Sequence, residues 1–340
     1  MSPRTSVAVF GASGYGGALS AHLLHRHPGF ELRTVTARSD VGRRLDDLYP
    51  HYRVPLMLEE LDLDRHADVD AAVVAYPHGA AAEVVTELHR RGVRVVDLSA
   101  DFRLRDPRVY AEWYRQHPAP ALIADAVYGL PERYRDQIAG AAIVANPGCY
   151  PTATVLGLAP LARAGLIGDV VIDAKSGVSG AGRTATDKTH FVTVDENLNP
   201  YGVPRHRHTP EIEQELAALG ADLHVTFTPH LIPLDQGELV SCYVSVPVSI
   251  PGRLGAGAEE IRALYRDAYE DEPFVELIDG LPGVRDVRET NICRIAVHRD
   301  ERTGRVIVFA VIDNLWKGAA SQAVQNLNLM FGRPEGEGIS

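Results

Sequence analysis

The sequence predicts an α/β protein of two domains, one built on a parallel sheet and one of the α+β class with a largely antiparallel sheet. Short apolar runs alternate with helical patterns in the first half, which is typical of βαβ units. Longer strand-like runs with fewer helices between them follow in the second half. We expect residues 1–148 and 315–340 to form the first domain, and residues 149–314 to form the second.

The composition is that of an ordinary globular protein and argues against several classes of partner. Apolar residues make up 45% of the 340 residues and charged residues 23%. The formal net charge of −11 argues against a nucleic-acid surface or an anionic membrane. No segment approaches the roughly 20 apolar residues that span a bilayer, and no apolar signal stretch opens the chain. We therefore expect a cytoplasmic protein that acts on a small molecule.

A glycine-rich turn stands between the first apolar run and a helical pattern over residues 18–26. Glycines at this place in a Rossmann-type domain allow a tight turn and bring the backbone close to a pyrophosphate at the helix N-terminus. The spacing is Gly-x-x-Gly-x-x-Gly, which is not the standard motif, so the strand before it and the helix after it carry the prediction. A turn without a ligand is the alternative. The cofactor contacts expected here are Gly11, Ser13, Gly14, Tyr15 and Gly16.

The second strand, expected over residues 32–37, ends in Arg38 and Ser39. A cofactor without a 2′-phosphate is usually held by an acidic residue at this point, whereas an arginine favours NADP. The alternative is that Asp40 contacts the ribose and the arginine is a surface residue. Pro77 follows a later strand-like run, at the sheet edge where ligands bind, and is a further expected cofactor contact.

A polar loop follows the strand-like run over residues 93–99. Because ligands of open α/β sheets bind at the carboxyl ends of the strands, this loop is expected to face the cofactor or the substrate. Ser99, Asp101 and Arg103 are the substrate contacts that we expect in it.

Cys149 follows a Pro-Gly pair and precedes a helical pattern over residues 151–163. Free N–H groups and the positive end of the helix dipole favour a thiolate there and lower its pKa. Since the thiolate is the nucleophilic form, we interpret Cys149 as a catalytic nucleophile, with a packed core thiol as the alternative. Cys242 and Cys293 lie in alternating apolar segments, where we expect packed core thiols.

A basic cluster over residues 201–212 supplies the imidazoles that a cysteine nucleophile needs for proton transfer. Either His206 or His208 is the expected acid/base, and the sequence does not choose between them. Arg207 is suited to neutralise a carboxylate or phosphate, and Thr209 is expected to cap the helix that follows. A zinc site is disfavoured because the His-x-His pair lacks both H-E-x-x-H spacing and paired cysteines, so no metal is expected.

Two further segments complete the predicted site and chain end. A second glycine-rich loop over residues 176–183 is expected to line the site, with Ser179 and Gly180 as cofactor contacts, and a flexible connection is the alternative. The tail from Gly332 is rich in glycine and charge, and we expect it to be frayed.

Together these motifs resemble the aspartate-semialdehyde-dehydrogenase-like group, and within it the N-acetyl-gamma-glutamyl-phosphate reductases. The resemblance extends from residue 11 to about residue 330, and its most specific element is the run over residues 146–153. Gly16 departs from the pattern, because many relatives have threonine there. The other matching segments are residues 11–15, 77–79, 97–103, 128–132, 206–211 and 314–318.

The resemblance implies an NADPH-dependent reduction of N-acetyl-L-glutamyl 5-phosphate to the 5-semialdehyde and phosphate, in arginine biosynthesis. It implies a thioester on Cys149, substrate contacts at Asn146 and Glu211, and a cofactor contact at Asn314. The alternatives are an aspartate-semialdehyde dehydrogenase, a carrier-protein-bound aminoadipyl-phosphate reductase of lysine biosynthesis, and a non-catalytic NADP-binding regulator. The antiparallel sheet favours a homodimer or homotetramer.

Overall fold

A computed structural model describes residues 4–247 and 257–339 of the chain. The chain divides into two compact units, the first formed by Met1–Gly148 with Ala319–Ser340 and the second by Cys149–Gly318. Among the described residues, no helix has both the length and the apolar character that crossing a bilayer requires.

The first unit contains a seven-stranded sheet in the order β3-β2-β1-β4-β5-β7-β6. Every neighbouring pair of strands is parallel. Its strands are β1 (Thr5–Phe10), β2 (Phe30–Thr36), β3 (Leu58–Glu59), β4 (Ala71–Val74), β5 (Arg94–Asp97), β6 (Ala126–Tyr128) and β7 (Ile143–Ala145). Its helices are α1 (Tyr15–Arg26), α2 (Leu45–Leu48), α3 (Leu63–His66), α4 (Ala82–Arg90), α5 (Pro107–Trp113) and α6 (Pro131–Ala139).

The central strands of this sheet are buried along their length, which is why their sequences are continuous apolar runs. The parallel Rossmann-type sheet predicted from those runs is confirmed.

The second unit contains a mixed seven-stranded sheet in the order β12-β13-β14-β11-β8-β10-β9. Its helices are α7 (Cys149–Arg163), α8 (Phe191–Val194), α9 (Thr209–Ala217) and α10 (Ala258–Tyr269). Its strands are β8 (Val170–Ser176), β9 (Asn199–Pro200), β10 (Thr226–Leu231), β11 (Glu238–Val244), β12 (Val275–Leu277), β13 (Cys293–Asp300) and β14 (Arg305–Ile312).

Four of the six strand pairs in this sheet are antiparallel, and only β8 with β10 and β12 with β13 are parallel. The prediction of a largely antiparallel second sheet is confirmed. The apolar run that begins at residue 237 predicts a strand as far as residue 248, which lies outside the described residues; in the structure β11 ends at Val244.

Helix α7 lies inside the second unit, and its residues from Tyr150 to Ala162 are buried. Pro160 within the helix has no N–H, so the carbonyl of Leu156 loses its helical donor. The hydroxyl of Tyr269 on α10 donates to that carbonyl at 2.5 Å. Tyr265 donates to the next carbonyl, that of Gly157, at 2.6 Å. Two buried tyrosines therefore satisfy the backbone of the helix that begins at Cys149.

The N-terminus of helix α9 differs from the prediction that Thr209 caps it. The helix begins at Thr209, and its N-cap residue is His208, whose side chain makes no cap hydrogen bond. The Thr209 hydroxyl is buried and makes no hydrogen bond to the described residues. The prediction that Thr209 caps this helix is therefore wrong, because the helix starts one residue earlier and turns the hydroxyl inward.

The chain ends in a π-helical turn, Trp316–Ala320, and helix α11 (Ser321–Met330), followed by a tail that is held in place. Arg333 donates to the Gly29 carbonyl at 2.6 Å, and the ring of His27 bonds the Glu337 carbonyl at 2.8 Å. The Glu335 carboxylate pairs with Arg135 at 2.9 Å. The prediction of a frayed tail is wrong, because its charged residues are bound to the first unit.

Candidate active site

The turn between β1 and α1 has backbone geometry suited to a bound phosphate. Gly11 has a φ of +91°, and a Cβ there would lie 2.6 Å from the carbonyl oxygen of Ala75. A Cβ at Gly17 would lie 2.3 Å from the Gly11 oxygen. Helix α1 starts at Tyr15, and its N-cap Gly14 makes no side-chain cap bond. Because no side chain caps the N–H groups of the first turn, they suit the pyrophosphate of a dinucleotide.

The residues after β2 fit a 2′-phosphate. Arg38 and Ser39 are exposed. The Arg38 guanidinium lies 4.9 Å from the centre of the Tyr76 ring, and the Ser39 hydroxyl lies 3.4 Å from that of Ser13. Asp40, the alternative ribose ligand, has a φ of 65° and is ion-paired with a neighbouring arginine at 3.2 Å. A guanidinium and two hydroxyls, groups that suit a 2′-phosphate, therefore lie close to the end of β2; their contact with NADP stays a prediction.

The remaining cofactor residues predicted in the first unit flank the glycine turn. Tyr15 and Gly16 are half-buried, and Pro77 is exposed in the loop after β4. The ring of Tyr15 packs edge-on against Tyr49 at 6.2 Å between centroids. These positions are compatible with the predicted contacts, which stay predictions.

Asp101 lies inside the first unit with 0% exposure. Its carboxylate accepts hydrogen bonds from the backbone N–H groups of Gly79, Ala81 and Ala82 at the start of α4, and from the Tyr110 hydroxyl. These four donors occupy the two carboxylate oxygens. The structure argues against the predicted substrate contact at Asp101, because the side chain is buried and bound by the chain itself.

Ser99 is also 0% exposed, and its hydroxyl donates to Asp97 at 2.7 Å. Burial raises the pKa of Asp97 to about 7. The predicted substrate contact at Ser99 therefore has no exposed group to support it.

Arg103 and Asn146 lie together at the end of β7. Arg103 is 5% exposed and donates to the carbonyls of Asn146 and Leu98 at 2.7 and 2.8 Å. The Asn146 side chain is 0% exposed, donates to the Ala319 carbonyl and accepts from Asn326. Sequence reasoning missed Asn326, although a buried amide within the apolar stripe of α11 is the signal for it. In this structure both predicted substrate contacts hold the backbone of the first unit.

Cys149 is the first residue of α7 and is half-buried, so its thiol stands at a helix N-terminus as predicted. A Cβ at Gly318 would lie 2.7 Å from the Cβ of Cys149, so only glycine lets the two backbones approach. Cys242 and Cys293 are 1% and 0% exposed, which confirms that they are core thiols. None of the three cysteines forms a disulfide, and Cys149 is the most exposed of them.

The ring of Tyr150, the residue after the nucleophile, gathers both predicted histidines. His206 and His208 lie 5.8 and 5.9 Å from it between ring centroids, and Phe227 lies at 5.3 Å. The hydroxyl of Tyr201 donates to that of Tyr150 at 3.1 Å. The structure therefore brings the two imidazoles to the residue that follows Cys149.

The protonation state of the His206 imidazole follows from its hydrogen bond and its burial. The backbone N–H of His208 donates to Nδ1 of His206 at 3.1 Å. Burial, with a smaller contribution from Arg207, lowers the pKa of His206 to about 4. His206 is therefore neutral at pH 7 and carries its proton on Nε2. Arg207 itself is exposed.

Glu238 on β11 is the site residue that the sequence reasoning missed. It is 0% exposed, and neither carboxyl oxygen makes a hydrogen bond of regular geometry to the described residues. Burial raises its pKa to about 8, while the facing Cys149 thiol, at hydrogen-bonding range, opposes that shift. A glutamate inside an otherwise apolar strand pattern is the signal that identifies such a residue.

The other predicted residues of the second unit lie near the base of the second glycine loop or on α9. Asn314 is 3% exposed, accepts from the Gly237 N–H at 2.7 Å and donates to the Ser179 hydroxyl at 3.0 Å. Gly180 is exposed beside this pair, while Glu211 is 1% exposed. Among residues 4–247 and 257–339, no three His, Cys, Asp or Glu side chains form a group that could hold a metal.

Comparisons with known proteins cover nearly the whole chain. The family model of the semialdehyde dehydrogenase NAD binding domain matches residues 6–141, and that of the semialdehyde dehydrogenase dimerisation domain matches residues 149–314. A solved aspartate semialdehyde dehydrogenase II complexed with ASA, from Vibrio cholerae, has a TM-score of 0.73 at 20% identity over 97% of this chain and 99% of that one. An aspartate semialdehyde dehydrogenase with NADP from Candida albicans has a TM-score of 0.71 at 16% identity over the same shares. These two structures share the fold.

Curated relatives are much more similar in sequence. The N-acetyl-gamma-glutamyl-phosphate reductase of Desulforudis audaxviator is 52% identical over 342 aligned positions, 98% of this chain and 97% of the relative. That of Moorella thermoacetica is 48% identical over 336 positions, 96% and 95% of the two chains. With a thiol at a helix N-terminus, two imidazoles around the ring of the next residue and this similarity along the chain, the protein belongs to the N-acetyl-gamma-glutamyl-phosphate reductases of the semialdehyde dehydrogenase family.

Proposed function

We propose that the protein uses NADPH to reduce N-acetyl-L-glutamyl 5-phosphate to N-acetyl-L-glutamate 5-semialdehyde and phosphate, a step of arginine biosynthesis. The half-buried thiol of Cys149 on the first residue of α7 carries this proposal. The names of the curated relatives support the choice of substrate. Free cysteines and a nucleophilic thiol also favour a reducing compartment, so we place the reaction in the cytoplasm.

Cys149 begins the reaction. Its sulfur attacks the acyl carbon, the bond from that carbon to the phosphate oxygen breaks, and the phosphate leaves with the electron pair and takes up a proton. The product is a thioester on Cys149. The backbone N–H groups at the start of α7 stabilise the negative charge that develops on the acyl oxygen.

The first unit holds the cofactor. The Gly11 turn and the N-terminus of α1 bind the pyrophosphate, while Arg38, Ser39 and Ser13 bind the 2′-phosphate. When bound, NADPH supplies the hydride that reduces the thioester. Cys149 then leaves as a thiolate when the resulting thiohemiacetal collapses to the aldehyde.

His206 and His208 take different parts in this scheme. Because Nδ1 of His206 accepts the backbone N–H of His208, the ring offers only its Nε2–H and acts as a hydrogen-bond donor to the acyl oxygen. His208 then moves the proton to the leaving phosphate. Arg207 is exposed between the two histidines and binds a carboxylate or phosphate of the substrate.

Alanine at position 149 tests the proposal. The Cys149→Ala protein is expected to lose at least about 10³-fold in turnover, since no other group forms the thioester. Its dissociation constant for NADPH, measured by fluorescence titration, should stay within about twofold of wild type. Cys242→Ala is the matched control, because that buried thiol lies in the core, and it should keep its turnover. Turnover of Cys149→Ala within tenfold of wild type would exclude the thioester mechanism.

The reverse reaction tests the substrate. Phosphate-dependent reduction of NADP is expected with N-acetyl-glutamate semialdehyde and not with aspartate semialdehyde. A higher kcat/KM for the shorter semialdehyde would contradict the proposed substrate.

We further propose that the protein is a homo-oligomer formed through the second unit. Helix α7 packs on one face of its sheet, where a Cβ at Gly157 would lie 3.4 Å from Val308. On the opposite face the cross-strand neighbours Val171, Tyr243 and Ile307 are apolar and half-buried. A second copy of the chain suits this face, as the family name of this region suggests. Tyr243→Arg should lower the mass measured by sedimentation, whereas Met57→Arg, on the exposed surface of the first unit, should not.

A further inference from the structure

Gly318 lies directly against the residue that carries the nucleophilic sulfur. A Cβ built on Gly318 would lie 2.7 Å from the Cβ of Cys149, 3.3 Å from its Cα and 3.3 Å from Cδ1 of Ile312. The first two of these atoms are fixed by the backbone at the start of α7, so no change of side-chain rotamer moves them. The backbone at Gly318 and the first residue of α7 can therefore keep this separation only while position 318 has no side chain.

The turn that carries Gly318 is held at Asp313, which is 0% exposed. Its Oδ1 accepts the N–H groups of Leu315 and Trp316 at 2.9 and 3.2 Å, and its Oδ2 accepts that of Glu289 at 2.8 Å. Its carbonyl accepts the Gly318 N–H at 3.0 Å, a bond that spans five residues and is of the π-helical type. Asp313 therefore closes the turn and joins it to a second segment of the same unit.

Two further side chains hold the same turn. Asn314 accepts the Gly237 N–H at 2.7 Å and donates to the Ser179 hydroxyl at 3.0 Å. Lys317 is 0% exposed, and its ammonium lies 5.6 Å from the centre of the Phe274 ring. The turn cannot move away from α7 without breaking these buried bonds, which would leave polar groups without partners.

We propose that Gly318 is a positioning residue for the nucleophile, and that the turn around it sets where the Cys149 sulfur lies relative to the first N–H groups of α7. This role rests on the proposed function, in which those N–H groups stabilise the charge on the acyl oxygen. Any Cβ at position 318 would have to displace either the turn or the first residue of α7. Because the turn is held by buried side chains, a side chain at this position should move Cys149.

Gly318→Ala tests this role through the reactivity of the thiol. Alkylation of Cys149 by iodoacetamide, followed by peptide mass spectrometry between pH 5 and 10, gives the midpoint at which the thiol becomes a thiolate. Since a helix N-terminus favours the thiolate, moving the sulfur away from it should raise this midpoint by about one pH unit. Below the wild-type midpoint, alkylation should be about tenfold slower. A midpoint within about 0.3 pH unit of wild type, or below it, would overturn the proposal.

Gly157→Ala is the matched control, because it adds the same methyl group to α7 itself. A Cβ at Gly157 would lie 3.4 Å from Val308 and 3.5 Å from Ala310, which is ordinary contact. Its alkylation midpoint should match wild type. An equal rise in both variants would contradict a specific role of Gly318. This outcome is separate from failure of the proposed reductase activity, because alkylation needs neither substrate nor cofactor.

A second measurement covers the case in which the Gly318→Ala protein does not fold. Cys149→Gly removes the Cβ that the new methyl group would meet. Gly318→Ala should therefore lower the urea midpoint of unfolding at most about half as far in Cys149→Gly as in wild type, and the double variant should fold even where Gly318→Ala alone does not. Equal losses in the two backgrounds, or a double variant that stays unfolded, would mean that the methyl group meets something other than Cys149 and would overturn the proposal.

Discussion

The two units treat buried charge in opposite ways. Asp101 in the first unit and Glu238 in the second are both 0% exposed. Asp101 accepts four hydrogen bonds, three of them from backbone N–H groups. Glu238 has no regular hydrogen bond to the described residues and faces the Cys149 thiol. Two carboxyl groups that are equally buried therefore differ in whether their oxygens accept hydrogen bonds from the described residues.

The buried histidines of the two units differ in their hydrogen bonds in the same way. In the first unit, His117 bonds the Asp101 carbonyl through Nε2 at 2.6 Å and accepts the Ala119 N–H on Nδ1 at 3.0 Å. In the second unit His206 has one such bond, on Nδ1, and its Nε2 makes none to the described residues. The buried titratable groups Asp101 and His117 of the first unit bond loop backbone, whereas Glu238 and the Nε2 of His206 in the second unit make no such bond to the described residues.

Exchanging carboxylate for amide at Asp101 should be the most destabilising of these substitutions. An Asn side chain turns one acceptor into a donor that points at backbone N–H groups, so Asp101→Asn should lower the free energy of unfolding by about 3 kcal/mol. Urea unfolding at pH 7 measures this change in the free energy of unfolding. The rate of Cys149 alkylation in the folded protein should stay unchanged. A loss below about 1 kcal/mol would mean that these hydrogen bonds do not hold the loop.

The same exchange at Glu238 should act in the opposite direction. The pKa of Glu238 is raised to about 8 in the folded protein, so the unfolded chain releases this proton at lower pH and wild type loses stability as pH rises from about 4.5 to 8. Glu238→Gln removes that loss and should stabilise the protein at pH 8 by about 4 kcal/mol. At pH 4 the two proteins should unfold at equal urea concentrations. Destabilisation at pH 8 would show that the carboxyl has structural partners after all.

Local sequence patterns predicted most of the elements on which this contrast depends. The Gly-rich turn, the thiol at a helix N-terminus and the two sheet types follow from the order of apolar runs and turn residues. The same patterns do not predict where the side chains of Ser99 and Asp101 point. A polar side chain after a strand can bind a ligand, or it can accept hydrogen bonds from backbone N–H groups of another loop. Glu238 was missed because strand periodicity identifies which face is buried and not what stands opposite it.

The lowered pKa of His206 makes the free energy of unfolding fall at acid pH. Because the pKa is about 4 in the fold against 6.5 for a free imidazole, the unfolded chain binds this proton first. The contribution of neutral His206 to the free energy of unfolding is complete above pH 6.5 and is lost as pH falls toward 4. Between pH 7 and pH 5 the wild-type protein should lose about 2 kcal/mol more of its free energy of unfolding than His206→Asn does. Chemical unfolding at both pH values, with His224→Asn as an exposed control, measures the difference. Equal losses in wild type and His206→Asn would mean that the ring is charged in the fold.

Arg38 gives the smallest expected effect and tests the exposed side of the first unit. Its guanidinium stacks on Tyr76 and is exposed, so the charge is partly screened and its contact with a 2′-phosphate contributes about 1–2 kcal/mol. Arg38→Ser should raise the KM for NADPH about tenfold and leave kcat and the KM for NADH unchanged. Arg33→Ser, an exposed arginine on β2, is the control and should leave both cofactors unaffected. If Arg38→Ser raised the KM for NADH as much as that for NADPH, the arginine would contact a part of the dinucleotide that both cofactors share. The preference for NADP would then depend on the hydroxyls of Ser13 and Ser39. Steady-state kinetics with both cofactors decide between these outcomes without any change in the buried groups of either unit.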